Sequence, residues 1–382
     1  MDVHPAIAHR VITGVALVMS GGFAITGDAR ADDGIFSVTP ALTIDVLDNM
    51  SGGRRTGART MYNLDLTASW KGERGWEAWG YVLVDGNGGF SNRYSGDLQT
   101  LSNIDAVPAT RLFEAWARYT SADTRWRTTL GVINLNAVFD TQPVGGVFLN
   151  SSDGIGPDYS QSGPPIFPVT GLGAVAEWRM TWRTTLRASV SDGVPGDPEH
   201  PKAFAALHLR KAEGLHRVVE LEHHFDNGFL KLGHWDYTVA GERWNDKGPG
   251  IRQGSYAQFG WYLIKEVADA SQGLQGWVRV GNANGDVFKL DQYVGGGLVY
   301  TGFFAGHDND QMGLAVMQAR LGQPYRAFAG APRATETAVE MTYKMVVGDH
   351  VIVQPDMQYI RNPGGEGALK DALVLGVRLR VQ

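Results

Sequence analysis

Covalent chemistry needs a nucleophile, an acid–base group or a set of metal ligands held together, and this chain offers few candidates. Four histidines lie close in sequence, His216, His223, His224 and His234. If they sit on strands, alternation sends His224 and His234 to one face and His223 to the other, so they do not make one site. A hydrolase would need a serine beside a histidine, with a third group orienting the ring, and no segment supplies that set. Asp85-Gly-Asn87-Gly opens like a calcium loop, but the position where a bidentate glutamate is required is Gly96. Asn284-Gly-Asp286 and Asp308-Asn-Asp310 read as turns, which their residue types explain without metal. The chain has no cysteine, which excludes disulfides and thiolate metal sites. No catalytic residue, metal or cofactor is therefore expected. What remains is non-covalent chemistry, carried by charged and aromatic residues: Trp79, Glu114, Trp116, Arg118, Glu177, Arg179, Arg183 and Arg187.

The elements that must position those residues alternate with period two. From Gly75, Trp76, Ala78, Gly80, Val82 and Val84 share one face while Glu77, Trp79, Tyr81 and Asp85 share the other. The same pattern sets Phe113, Ala115, Ala117 and Tyr119 against Glu114, Trp116 and Arg118. Later it sets Val339, Met341, Tyr343 and Met345 against Glu340, Thr342 and Lys344. One polar and one apolar face suits either a soluble sandwich or a membrane barrel with its apolar face on lipid. The segments approach the roughly 9–11 residues that cross a bilayer at a tilt. Trp70, Trp76, Tyr119, Trp126, Trp178 and Trp182 gather at their ends, as in an interfacial girdle.

Loop lengths decide between the two. With the weakest candidate, 203–211, set aside, about 16 segments remain, the even number that a bacterial barrel requires. They run from 38–48 to 372–381, and short connections such as 71–74 and 121–125 alternate with long ones such as 86–110, 135–169 and 193–215. A sandwich has no reason to sort its loops in this way. The expected fold is all-β: a 16-stranded antiparallel transmembrane β-barrel of the outer-membrane porin type, with one long loop folded inward. Pro355, inside the fifteenth segment, calls for a bulge or a local break at Val353-Gln354-Pro355.

At the start of the chain, Arg10 precedes an apolar stretch of about 15 residues that leads to Ala29-Arg30-Ala31, the layout of a secretory signal peptide. The expected organisation is a cleaved signal over 1–31 and a single barrel domain over 32–382. The formal charge of −6 carries no nucleic-acid footprint.

The stretch 145–170, GGVFLNSSDGIGPDYSQSGPPIFPVT, supports no regular periodicity and is long for a structureless loop in a compact domain. Together with LFEAWARY it resembles the carbohydrate-selective porins of the OprB family, as do SGGRRTGART, YSGDLQTLSNIDA, SDGVPGDP and the closing ETAVEMTYKMVV to ALVLGVRLRV. The resemblance implies a barrel of the Gram-negative outer membrane that passes small sugars, glucose above all, by diffusion through a constriction; the arginine-rich sixth and seventh segments leave general or organic-anion passage as the alternative. It also implies outer-membrane lipid and the barrel-assembly machinery as partners, and a homotrimer by analogy of fold. Two departures stand out: Asn134 and Asn136 occupy a stretch where the family often carries acidic residues, and the sequence ends in Val381-Gln382 rather than an aromatic, an expectation of weaker recognition during assembly.

On that reading the long loop narrows the lumen. Its apolar residues would pack on the inner wall while Asn150, Ser151, Ser152, Asp153, Asp158 and Gln161 face the permeant. Arg118, Arg179, Arg183 and Arg187, expected from four neighbouring strands, would oppose Glu114 and Glu177 across the pore and hydrogen-bond sugar hydroxyls. Trp79 and Trp116 would stack on a pyranose ring.

Overall fold

The computed structural model describes residues 27–31, 34–205, 207–267, 269 and 271–382. The expected signal peptide lies outside the described residues except for Gly27–Ala31. Sixteen antiparallel strands follow: β1 Gly34–Gly53, β2 Gly57–Gly72, β3 Trp76–Gly86, β4 Ala109–Thr120, β5 Trp126–Ile133, β6 Gly171–Arg179, β7 Thr184–Asp192 and β8 Leu215–Phe225. The second half comprises β9 Gly228–Tyr237, β10 Gln253–Lys265, β11 Gly273–Ala283, β12 Leu290–Thr301, β13 Gln311–Leu321, β14 Thr335–Val347, β15 Val351–Arg361 and β16 Lys370–Val381. Each pairs with its neighbours in sequence, and β16 returns to pair with β1 through Arg378↔Asp45 and Arg380↔Thr43. Closure gives every barrel strand two partners, so backbone groups are satisfied in a solvent that cannot hydrogen-bond them. Beyond the end of β16, the first residues of β1 are flanked by the short strand Gly27–Ala31 instead.

The distribution of polarity fixes the sense of the barrel. Leu130, Leu314 and Val190 are exposed on the outside, Leu130 at 57%. Inside, Asp45, Glu220, Glu336, Glu340 and Gln358 are each fully buried. A protein folding in water would reverse this. At the short-turn end, Trp126 and Trp178 stack with centroids 5.4 Å apart, and Trp76 meets Tyr119 at 5.2 Å. These rings are exposed and form the girdle where lipid gives way to water.

The expected segments match the strands within a few residues, apart from β1, which runs several residues further at both ends. Residues 203–211 form no strand among the described residues. The short turns 73–75, 121–125, 180–183, 226–227 and 348–350 lie at one end, and the connections 87–108, 134–170, 193–214 and 238–252 lie at the other. The connection 54–56 is a short exception at the long-loop end.

One local expectation narrows and two change. At Pro355 the ladder to β14 lapses between Thr342↔Asp356 and Met345↔Val353 and resumes in the same register, so the accommodation is a break and not a bulge. Thr342 Oγ1 fills the gap by donating to the Pro355 carbonyl at 3.0 Å. Phe113 does not stay on the lipid face: a bulge between Tyr81 and Val82 turns it inward, edge-on to Tyr81 at 4.8 Å and to Phe167. His234 pairs with Val219 on the outer face and meets Ser255 Oγ there; His224 faces inward as expected, 3.1 Å from Glu222, and His216, buried beneath the long loop, joins it on that face.

Candidate functional site

The loop 134–170 lies inside the barrel. Its prolines and glycines prevent a long helix, leaving the single turns α1 Ser151–Gly154 and α2 Pro157–Ser160. Val147, Phe148 and Leu149 pack with inward Trp277, Tyr293 and Met317, and Ile155, Tyr159 and Ile166 pack with Trp235 and Tyr256. Each fully buried side chain of this size contributes roughly 1.5–3 kcal/mol, which answers why a porous-looking loop is so apolar.

Its polar anchoring is equally specific. Arg279, on β11, reaches across to the loop and is 1% exposed in its side chain. Its Nη2 donates to Asp140 Oδ2 at 2.6 Å and its Nη1 to Asp158 Oδ1 at 2.6 Å, so one guanidinium ties two separate turns of the loop. Asp140 sits at φ +52°, a conformation that aspartate tolerates better than most residues, and its N–H donates to Glu220 at 2.9 Å. Gly156 and Gly281 flank this clamp, and a Cβ on either would lie about 2 Å from Arg279 Nη1 or Asp158 Oδ2, so the close approach requires glycine at both. Further along, the Leu149 and Asn150 N–H groups donate to the Glu340 carboxylate at 2.6 and 3.0 Å, and Asn150 Nδ2 donates to Gln358 at 3.0 Å.

These contacts correct the expected orientation of the polar loop residues. Asn150, Ser152, Asp153 and Asp158 are buried against the wall and each other rather than presented to a permeant. Ser151 is half-buried with its N–H donated to Thr100 O, and Gln161 is exposed but donates to Leu98 O. The reason is satisfaction of the backbone: a loop removed from water must find partners for its N–H and C=O groups, and these side chains help supply them. Asp153 is the exception, with neither carboxylate oxygen hydrogen-bonded. Burial, reinforced by the neighbouring Asp356 carboxylate, holds its pKa well above the usual carboxylate range.

A second loop, 87–108, also folds in, which the sequence reading did not foresee. Leu98 N–H donates to both oxygens of Glu336 at 2.9 and 2.8 Å, and Ser102 Oγ donates to Asp45 at 2.6 Å. Arg378 pairs with the same Asp45 at 2.7 Å. The two loops lock together through Asn103 N–H to Leu149 O and Ser151 N–H to Thr100 O. Apolar Leu98, Leu101 and Ile104 at intervals of three in a polar loop were the available signal.

Beside the loops, the wall built by β3–β6 lines a cavity. Trp79, Glu114, Trp116 and Arg118 come together around this space of about 270 Å³, closed on the loop side by Asn134, Ala137 and Val138. The two indole rings are nearly parallel, 6.1 Å apart, and the Arg118 guanidinium lies 4.2 Å from the Trp116 ring centroid. Glu114 accepts from Trp79 Nε1 at 3.1 Å and from Asn134 N–H at 3.1 Å. The backbone of Asn134, one of the two asparagines noted as a departure, thus holds the wall's own carboxylate in place.

Nearer the short-turn end, Glu177, Arg179 and Arg187 line a smaller cavity with Arg125 and Arg127, two residues not anticipated from sequence. Arg187 is enclosed by acids, meeting Glu177 at 3.1 Å, Glu220 at 3.0 Å and Glu222 at 2.5 Å. Arg183 belongs to neither cavity. It stands in the turn 180–183, over the Trp182 ring and paired with Asp226, so the four arginines come from three strands and a turn. Asp85, once a candidate cation ligand, is bound to Arg111.

Residues 55–382 match the family model of the OprB carbohydrate-selective porins. Porin B of Pseudomonas aeruginosa is 23% identical over 184 residues, a match that spans 40% of this chain and 40% of that relative's length. Among solved structures, the high-pH structure of Pseudomonas putida OprB superposes with a TM-score of 0.81 at 18% identity, covering 91% of this chain and 94% of the other. The outer-membrane channel DcaP of Acinetobacter baumannii gives 0.56 at 10% identity, over 94% of this chain and 99% of that one.

Proposed function

Because the chain belongs to the OprB family of carbohydrate-selective porins, we propose that it passes glucose-type sugars passively into the periplasm through the gap between its inward loops and the β3–β6 wall. Its setting is the Gram-negative outer membrane, that of the family's barrel. The observation that carries the proposal is the grouping of Trp79, Trp116, Glu114 and Arg118 around one cavity. An indole offers a flat apolar surface to the C–H face of a pyranose, and a carboxylate with a guanidinium offers an acceptor and donors to its ring of hydroxyls. Selectivity then comes from gap width and from this pairing of stacking with hydrogen bonds. The contacts must stay weak, since a solute that binds tightly does not leave.

Glu177, Arg179 and Arg187 serve the exit side of the same path, and Asn150, Ser151, Asp153, Asp158 and Gln161 act through the loop they hold rather than through the sugar. The same proposal has residues 1–31 removed on export, leaving 32–382 as one barrel domain, inserted into lipid by the barrel-assembly machinery and assembled as a homotrimer. Removal would leave the first residues of β1 paired to β2 alone. The test of the site is sugar flux into liposomes for Trp79→Ala and Trp116→Ala. Loss of stacking worth about 1 kcal/mol predicts a several-fold fall in the ratio of glucose flux to that of a size-matched acyclic polyol. An unchanged ratio in both variants would remove the aromatic pair from the permeation path.

A further inference from the structure

The short-turn end of the lumen carries more positive charge than the sugar reading needs. Four guanidiniums, from Arg125, Arg127, Arg179 and Arg187, surround a cavity of about 100 Å³ that contains one carboxylate, Glu177. Arg187 and Arg127 share that carboxylate at 3.1 and 3.5 Å, and Arg187 is neutralised further by Glu220 and Glu222, so the excess charge belongs to Arg125, Arg127 and Arg179. The Arg125 and Arg179 side chains make no ion pair among the described residues, although the Arg125 backbone N–H donates to Asp123 Oδ1 at 3.1 Å; Arg179 Nη1 donates to Thr124 Oγ1, at 3.3 Å. On another part of the wall Arg380 faces inward, in register with buried Thr43; it makes no ion pair among the described residues, though its charge acts on the Asp65 carboxylate. Inward Lys344 near it meets only the neutral Gln311, at 3.3 Å. Nearby Glu77 is already engaged by Arg118 at 3.6 Å.

We infer that this cationic ring is an exit site for polyhydroxylated carboxylates, so that the permeants of this porin include sugar acids beside neutral sugars. The inference rests on the sugar-porin reading above and extends its substrate class. A guanidinium presents a planar fork that matches a carboxylate, and Thr124 and Thr185 add hydroxyls in the same cavity for the rest of a sugar acid. Rings of arginine and lysine raise the local concentration of anions in a pore and lower their barrier to leaving the narrow part. A neutral sugar gains hydrogen bonds from these guanidiniums but no Coulombic attraction, whereas a carboxylate gains both, which is why the excess of positive charge points to an anionic permeant.

The experiment compares influx of gluconate with that of glucose into liposomes holding the full barrel, at low and high ionic strength, for the wild type and for the Arg125→Gln/Arg179→Gln double variant. The inference predicts a wild-type gluconate-to-glucose ratio of about 3 or more at low salt. The ratio should fall toward 1 at high salt, because these charges are exposed and screened, and the double variant should show the lower ratio at both. Heat-modifiable migration of the variant confirms that a barrel is being measured. A wild-type ratio below 1, or a double variant with an unaltered ratio, would overturn the exit site. Gluconate entry without glucose entry would uphold the exit site and overturn the neutral-sugar reading instead.

Discussion

Single residues inside the lumen do two different jobs, and Asp153 separates them most clearly. Most inward charges are satisfied, as Asp140 and Asp158 are by Arg279. Asp153 is buried without a hydrogen bond beside Asp356, which has an unpartnered oxygen of its own. Its raised pKa means that the docked loop binds a proton more tightly than the undocked loop does. Asp153's contribution to docking is therefore fully present at low pH and is lost as pH rises from the ordinary aspartate value of about 3.9 toward the raised one. Asp153→Asn removes the ionisation and adds an amide that can donate to Asp356. The variant should melt higher than the wild type at pH 7, by the order of 1–3 kcal/mol, with the gain vanishing below about pH 4. Parallel melting curves at every pH would show that another contact relieves the Asp153 charge.

At the scale of elements, the long loop behaves as a folded insert bolted to the wall. Arg279→Gln leaves two buried carboxylates without their cation, a loss of about 3–5 kcal/mol of docking free energy. Since the barrel's strands pair independently of the loop, the expected outcome is a barrel that still assembles but conducts more in planar bilayers and discriminates less among sugars. Wild-type conductance from a verified barrel would mean that the apolar contacts of Phe148, Leu149 and Tyr159 hold the loop alone. Strand positions were legible in the sequence because alternation reports a face directly, and Trp79, Glu114, Trp116 and Arg118 were legible for the same reason. Alternation does not report which inward residues meet a loop, however. Glu336 and Leu98 lie 238 residues apart, and nothing local to either announces their contact. The same blindness hid the second loop and set Asn150 and Asp158 toward a lumen they do not face. The bulge at Phe113 was hidden because one inserted residue leaves the period intact on either side of it.

At the scale of the whole molecule, an apolar exterior around a charged, loop-filled interior is stable only where lipid surrounds it. Leu130, central in β5 and exposed to that lipid, tests the assignment: Leu130→Arg should cost about 2–4 kcal/mol and lower the yield of inserted barrel, and normal insertion would count against the inside–outside sense. The central claim is that this barrel selects sugars by the surface that its loops leave open. The most direct measurement is solute influx into liposomes containing the purified full barrel, comparing glucose, a disaccharide, and amino acids of glucose's size. Glucose should enter well above the amino acids, with the disaccharide slower than glucose. Equal entry of all solutes of that size would contradict the claim and leave a general pore.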